Sequence, residues 1–349
     1  MKKVVTFGEI MLRLNPKGYL RFTQAVEFEA SYAGAEANVA VSLANFGIDA
    51  AFVTKVPAHD MGQCAVNELR RFGVDVSNII RGGDRLGAYY VEKGASQRAS
   101  KVIYDRAYSA IASVKPGEFD WNAILKPAGS SGAASWFHFT GITPALGDGT
   151  AAVTMEAVKA AKALGLTVSC DLNYRKNLWP KEKAGKVMGE LMPYVDICIA
   201  NEEDTDDVFG IRAEGTDINK GQLDKDGYCS VAKKLAERWP FKKIAFTLRG
   251  SISASDNEWS GMLYDNSGGG AAFFSPVYNV RIVDRVGGGD SFGAALIYAQ
   301  LSGYDNQKSI DFAAAASCLK HSIEHDFNLV NVAEITSLAG GNASGRVQR

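Results

Sequence analysis

The stretch "DRVGGGDSFGA" (residues 284–294) sets three successive glycines directly before Asp290. A β-branched run (Val280, Ile282, Val283) precedes it, and "DSFGAALIYAQL" behind it holds no turn residue after Gly293. That order reads as strand, loop, helix. Three glycines let the backbone turn tightly and point several N–H groups inward with no Cβ in the way. A helix beginning there adds unpartnered first-turn N–H groups and the positive end of its dipole, so the loop suits an anion. Read alone, Asp290 is an N-cap. Beside an anion site it has a second reading, as the base that takes a hydroxyl proton while a phosphoryl group is transferred. The loop is not a Walker A sequence, because no Gly-Lys-Ser/Thr follows. Nor is it a dinucleotide fingerprint, because Phe292 occupies the last glycine position.

Working outward, "SWFHFTG" (135–141), "LTVSCDLN" (166–173), "DICIAN" (196–201) and "KKIAFTL" (242–248) are near-continuous apolar strands. Helical patterns run from about Thr150 to Leu164, from Lys181 to Leu191, near 229–238 and after Asp290. This alternation predicts an α/β protein whose mainly parallel sheet is covered on both faces. "MKKVVTFGEIML" supplies a first strand, and an Ala-rich helix (35–47), a strand (51–56) and a helix (61–72) join the same body. Residues 9–33 and 86–112 carry turns, polar interruptions and little helical periodicity. They predict a small separate β-sheet, one face of which needs cover from a ligand or a second subunit. The expected division is a main α/β body from 1–10, 34–85 and 113–338, a β lid from 11–33 and 86–112, and a flexible tail, 339–349.

The chain has 349 residues, is 46% hydrophobic and 22% charged, and carries a net charge of -1. Near-neutral charge and the lack of a basic run with interleaved aromatics exclude the surface a nucleic-acid partner requires. The 5 cysteines, at positions 64, 170, 198, 229 and 318, form no CxxC pair and suggest neither a disulfide framework nor a zinc site. No apolar run approaches the roughly 20 residues that span a bilayer. The N-terminal apolar stretch is broken by Glu9 and lacks a small-residue cleavage site. The expectation is a cytoplasmic protein with neither a membrane nor a nucleic-acid partner.

Two motifs then point to one family. "DRVGGGDSFGAAL" resembles the C-terminal signature of the ribokinase-like (pfkB) carbohydrate kinases, D-T-x-G-A-G-D-x-F-x-[AG]. Asp284, Gly287, Gly289, Asp290, Phe292 and Ala294 match it, while Arg285 and Gly288 replace its threonine and alanine. "YAGAEANVAVSLANFG" (32–47) resembles the N-terminal signature G-G-A-x-x-N-x-A-x-x-L-A-x-L-G, with Ala33 for the first glycine. The two stand about 250 residues apart in the family's order, and the resemblance covers essentially the whole chain. It implies a ribokinase-like three-layer sandwich with a mainly parallel central sheet and a small β-sheet lid. It also implies an ATP-dependent sugar kinase, with Asp290 as catalytic base, the amides of Gly287, Gly288, Gly289 and Asp290 as anion hole, and Gly34 and Asn38 on the sugar.

The substrate is read from arginines and tyrosines. Tyr104 and Arg106 lie two apart on one lid strand and share a face, with Tyr89 on the strand before. Asp171, Asn173 and Arg175 follow a main-sheet strand at its carboxyl end, where α/β proteins bind ligands. A sugar acid needs cations for its carboxylate. Together these residues resemble the 2-keto-3-deoxygluconate kinase branch of the family, which implies that Gly34, Tyr89, Tyr104, Arg106, Arg175 and Asp290 contact the keto acid. By the same resemblance, Asn173, Arg175, Thr247, Arg249, Gly250, Gly287, Gly289 and Asn328 serve ATP. "NEEDTDD" (201–207) resembles the family's N-x-x-E element for Mg2+, here with Asp204 in the fourth place, so Asn201 and Glu202 or Asp204 are the metal candidates. A homo-oligomer through the lid is expected. A neutral-sugar kinase and a non-catalytic sugar-acid sensor stay open, as does the choice between gluconate and galactonate epimers.

Overall fold

A computed structural model describes residues 2–126, 129–201, 203–212 and 225–342. Glu202 and residues 343–349 of the expected tail lie outside them. Among the described residues the main sheet has nine strands. From one edge it runs Ala271–Phe274, Asp256–Asp265, Lys243–Ser251, Ile197–Ala200, Thr167–Asp171, Ala134–Thr140, Lys3–Phe7 and Asp49–Val53, with Tyr278–Arg281 also paired to Asp256–Asp265. Pairing is parallel from Asp49–Val53 across to Lys243–Ser251 and antiparallel beyond.

Strand alternation divides the core. Val4 faces a cluster shared with the helices Ala35–Asn45, Gly288–Leu301, Asn306–Lys320 and Val332–Ala339, and Val5 faces one shared with Asp148–Ala163, Lys181–Leu191 and Lys225–Arg238. Helix, sheet and helix make three layers. Burial on both faces explains why these strands read as unbroken apolar runs.

The smaller sheet has the order Phe28–Ala33, Met11–Pro16, Ala88–Glu92, Lys101–Asp105. Its outer pairs are antiparallel and its central pair, Met11–Pro16 with Ala88–Glu92, is parallel. The chain crosses through the main body between those two strands, and a long crossover is what a parallel pair requires. Register places Arg13 opposite Tyr89 and Tyr89 opposite Tyr104, so the three form one row across the sheet's inner face.

Candidate active site

The parallel strands end at a cavity of about 370 Å³, closed from the other side by the small sheet. At its floor the helix Gly288–Leu301 begins. Gly287 is the N-cap and takes a left-handed φ of 84°. A Cβ there would sit 2.1 Å from the Asp326 carbonyl oxygen, so both turn and packing demand glycine. The Gly289 and Asp290 amides have no acceptor among the described residues. They point the helix's positive end at the cavity.

Asp290 is not the cap. It is the third residue of the helix, and its Oδ2 accepts a 2.6 Å hydrogen bond from Asn38 Nδ2. Asn38 reaches it because the helices Ala35–Asn45 and Gly288–Leu301 pack together, each burying small residues, Ala37 and Ala40 in one and Ala294 and Ala295 in the other. Desolvation pushes the Asp290 carboxyl up to about 7; the Asn38 bond opposes the rise, Asp326 and Glu36 add to it, and Arg175 opposes it. A carboxyl poised there can exchange a proton near neutrality.

Gly34 enters the Ala-rich helix where a Cβ would stand 1.8 Å from the Glu9 carbonyl oxygen. Two residues on, buried Glu36 accepts through Oε1 from the Thr140 amide (3.0 Å) and from the Thr140 and Thr143 hydroxyls (2.7 Å each). Burial raises its pKa. On the lid side the Tyr89 and Tyr104 rings stack at 5.9 Å, and the Arg106 guanidinium lies 5.2 Å above Tyr104. Arg106 is not a free cation. Its Nε and Nη2 donate to Glu9 Oε2 at 2.8 and 2.5 Å, while Ser109 donates to Glu9 Oε1. Nη1 alone is left over. Tyr89 lines the cavity too, but its hydroxyl donates to Asp326 Oδ2 at 2.8 Å.

Arg175 is exposed and gives one bond to its neighbour's carbonyl, Tyr174 O at 3.0 Å. Asn173, at a left-handed φ of 38°, donates its amide to Asp171 Oδ1, an Asx turn that aims the loop. Asp171 is raised well above the usual carboxylate range by desolvation, and further by Asp204 and Asp290. Desolvation lifts Asp204 to about 6 against the opposing charge of Arg175. Asp204 accepts the Tyr174 and Asn201 amides, and Asn201 Oδ1 accepts the amides of Glu203 and Asp204. Among the described residues no group of three or more His, Cys, Asp or Glu could hold a metal ion.

Most sequence-predicted residues line this cavity: Gly34, Asn38, Tyr89, Tyr104, Arg106, Asn173, Arg175, Asn201, Asp204, Thr247, Arg249, Gly287, Gly288, Gly289 and Asp290. Two do not. Thr247 and Arg249 share the cavity face of their strand, so alternation turns Gly250 to the other face, against Glu258. Asn328 is buried and its amide is satisfied inside the fold, donating to Ser291 Oγ (2.6 Å) and accepting from the Val330 amide.

The structure also assembles residues that sequence reasoning missed. Arg13, fully buried, donates to Asp284 Oδ2 at 2.5 Å and to Asp326 Oδ1 at 2.6 Å. Asp284 Oδ1 accepts the Val286 amide and so shapes the approach to the glycine loop. Arg13 and Tyr89, neighbours on the lid, therefore grip both segments that flank Gly287. On the opposite wall Trp259 and His321 lie 4.8 Å apart, with Asn257 and Arg285 beside them.

A three-layer α/β body, a sheet lid and a carboxylate beside a glycine-rich helix start define a ribokinase-like kinase architecture. The chain belongs to the family of pfkB carbohydrate kinases, which residues 1–323 match. A crystal structure of 2-dehydro-3-deoxygluconokinase from Thermotoga maritima is 51% identical, with a TM-score of 0.92, covering 98% of this chain and 100% of its own. The 2-dehydro-3-deoxygalactonokinase of Haloferax volcanii is 32% identical over 345 residues, 98% of each chain. An E. coli structure described as a candidate ribokinase II in complex with ATP and Mg2+ is 20% identical, with a TM-score of 0.79. It covers 97% of this chain and 99% of its own, a likeness of fold. No helix among the described residues is long and apolar enough to cross a membrane.

Proposed function

We propose that this sugar kinase transfers the γ-phosphoryl group of ATP to O6 of 2-keto-3-deoxygluconate (2-dehydro-3-deoxygluconate). The observation that carries the proposal is Asp290, a carboxyl raised to about 7 and held by Asn38 beside the open amides of Gly289 and Asp290. In this reading the substrate hydroxyl gives its proton to the Asp290 carboxylate and its oxygen bonds to the γ-phosphorus. The bond to the β–γ bridging oxygen breaks, and ADP leaves. The glycine-loop amides meet the charge that gathers on the moving phosphoryl group.

Arg175 and the Nη1 edge of Arg106 support a carboxylate at the far end of the substrate, as do the activities for which the two closer relatives are named. Asp171, Asn201 and Asp204 line the wall where a Mg2+ ion would sit, but the Asn201 and Asp204 oxygens already accept backbone amides. With no three-ligand cluster among the described residues, the nucleotide's phosphates and water would supply most of its coordination, the usual habit of this ion. Bound there, it would neutralise phosphate charge. A cytoplasmic location goes with ATP as donor. Phe28 and Ile103, exposed on the lid's outer face, support a homo-oligomer formed through it. Light scattering at micromolar concentration checks this, and a monomer would remove the assembly.

A neutral sugar is the second reading, favoured by one observation: Glu9 already neutralises Arg106. Release of ADP across a panel of sugar acids and neutral sugars, both 2-keto-3-deoxy epimers included, tests the two. The expected outcome is faster turnover of 2-keto-3-deoxygluconate than of fructose or ribose. A faster neutral sugar overturns the substrate assignment.

A further inference from the structure

Arg285 stands where the family signature carries threonine, and the chemistry above leaves it unused. Its side chain lines the cavity beside Gly287–Asp290, on the wall that also holds Arg249, Trp259 and His321. It is half-buried. Nη2 donates to the Ala254 carbonyl at 3.0 Å, and the buried Nε has no partner. The nearest carboxylate in sequence, Asp284, is engaged by Arg13. Burial and the neighbouring charge of Arg249 lower the Arg285 pKa, and Asp284 opposes them in part. Arg249 is exposed to the cavity and has no ion-pair or hydrogen-bond partner among the described residues.

Two guanidinium groups thus sit close together beside an anion-binding helix start, with no carboxylate between them. A half-buried cation beside a like charge is unfavourable unless something compensates it. On this wall every one of the groups concerned donates, so the missing partner is rich in acceptors and negative charge. Phosphate oxygens match the planar fork of arginine.

We propose that Arg285 and Arg249 clamp the β-phosphate of the bound nucleotide, the group on which ADP leaves. The proposal rests on the kinase reading above. When the bridging P–O bond breaks, its electron pair stays on that phosphate while the phosphoryl group passes to the substrate oxygen and the proton to Asp290. The two arginines meet the added negative charge, so their effect is larger in the transition state than in the bound ground state.

The alternative is a strut role, in which Arg285 only holds the 251–256 turn through Ala254. Arg285→Gln keeps a donor for that carbonyl and removes the charge, and Arg285→Lys keeps the charge. Calorimetric titration with ADP and with AMP, which lacks the β-phosphate, separates the roles. Arg285→Gln should weaken ADP by about tenfold or more and leave AMP within about twofold. It should also lower kcat without raising KM for the sugar acid, and Arg285→Lys should recover part of both losses. Equal weakening of ADP and AMP would establish the strut and overturn the clamp. ADP affinity unchanged by Arg285→Gln, or an unaltered chain that binds ADP no more tightly than AMP, overturns it as well. The expected ADP and AMP pattern with no sugar turned over would sink the kinase reading and leave the clamp standing.

Discussion

The lid side of the cavity and the wall beside the glycine loop hold their arginines in opposite states. Arg106 is buried and its charge is met by Glu9, which receives two guanidinium N–H groups and the Ser109 hydroxyl. Arg249 and Arg285 form no ion pair with a carboxylate among the described residues. The difference separates two uses of one side chain. A paired guanidinium supplies shape and a fixed donor edge, and it is part of the fold. An unpaired one supplies field for an incoming anion and is nearly dispensable to the fold.

The first way to break this comparison is at Asp290, which both halves share. Asp290→Asn should reduce kcat by about 10²–10⁴-fold while sugar-acid binding survives. A base acts when ionised, so kcat/KM of the unaltered enzyme should rise with pH through about 7, the position to which burial moves this carboxyl. The acid limb should vanish in the variant; if it persists, another group titrates.

Next in size is the contrast of cations. Arg106→Met leaves Glu9 buried and uncompensated and should destabilise the protein by about 3–5 kcal/mol. Arg249→Gln should stay within about 0.5 kcal/mol, the usual range for an exposed position. Urea titration of both variants decides, and equal losses would erase the distinction.

A smaller effect is expected within the glycine loop. Gly287→Ala forces a side chain into a left-handed turn and against the Asp326 carbonyl, for a loss of about 1–3 kcal/mol. At Gly289 a Cβ would meet nothing within 4 Å, so Gly289→Ala should leave the melting temperature unchanged. A matching drop in both variants would mean that the loop is tight along its whole length.

How much of this was legible in the sequence varied with distance along the chain. The parallel strands were readable to within a few residues because burial on both faces leaves continuous apolar runs, as in Thr167–Asp171 and Ile197–Ala200. The antiparallel extension was not, since Asp256–Asp265 opens with Asp, Asn and Glu and lacks the continuous apolar run of the parallel strands. The glycine loop and the Gly34–Asn38 entry were readable because their chemistry lies in local spacing. Glu9, Arg13 and Asp326 were not, because their partners lie 97, 313 and 237 positions away and no local pattern announces such pairs. Arg106 lines the cavity, but only the fold discloses that Glu9 had already engaged it. Gly250 was misplaced through the period of two in its own strand, and Asn328 through partners contributed by Ser291 and Val330.

The buried grip of Arg13 on Asp284 and Asp326 has a consequence for how this lid can be inherited or engineered. Sheet lids look like interchangeable parts, joined to the body at a few crossings. Here strand Met11–Pro16 carries a guanidinium whose two acceptors belong to the body. A graft that brings the strand without both aspartates would bury an unpaired cation, and one that brings a foreign strand would leave two carboxylates facing each other. Lid and glycine loop are coupled through one buried guanidinium, so a working graft has to carry both sides of it.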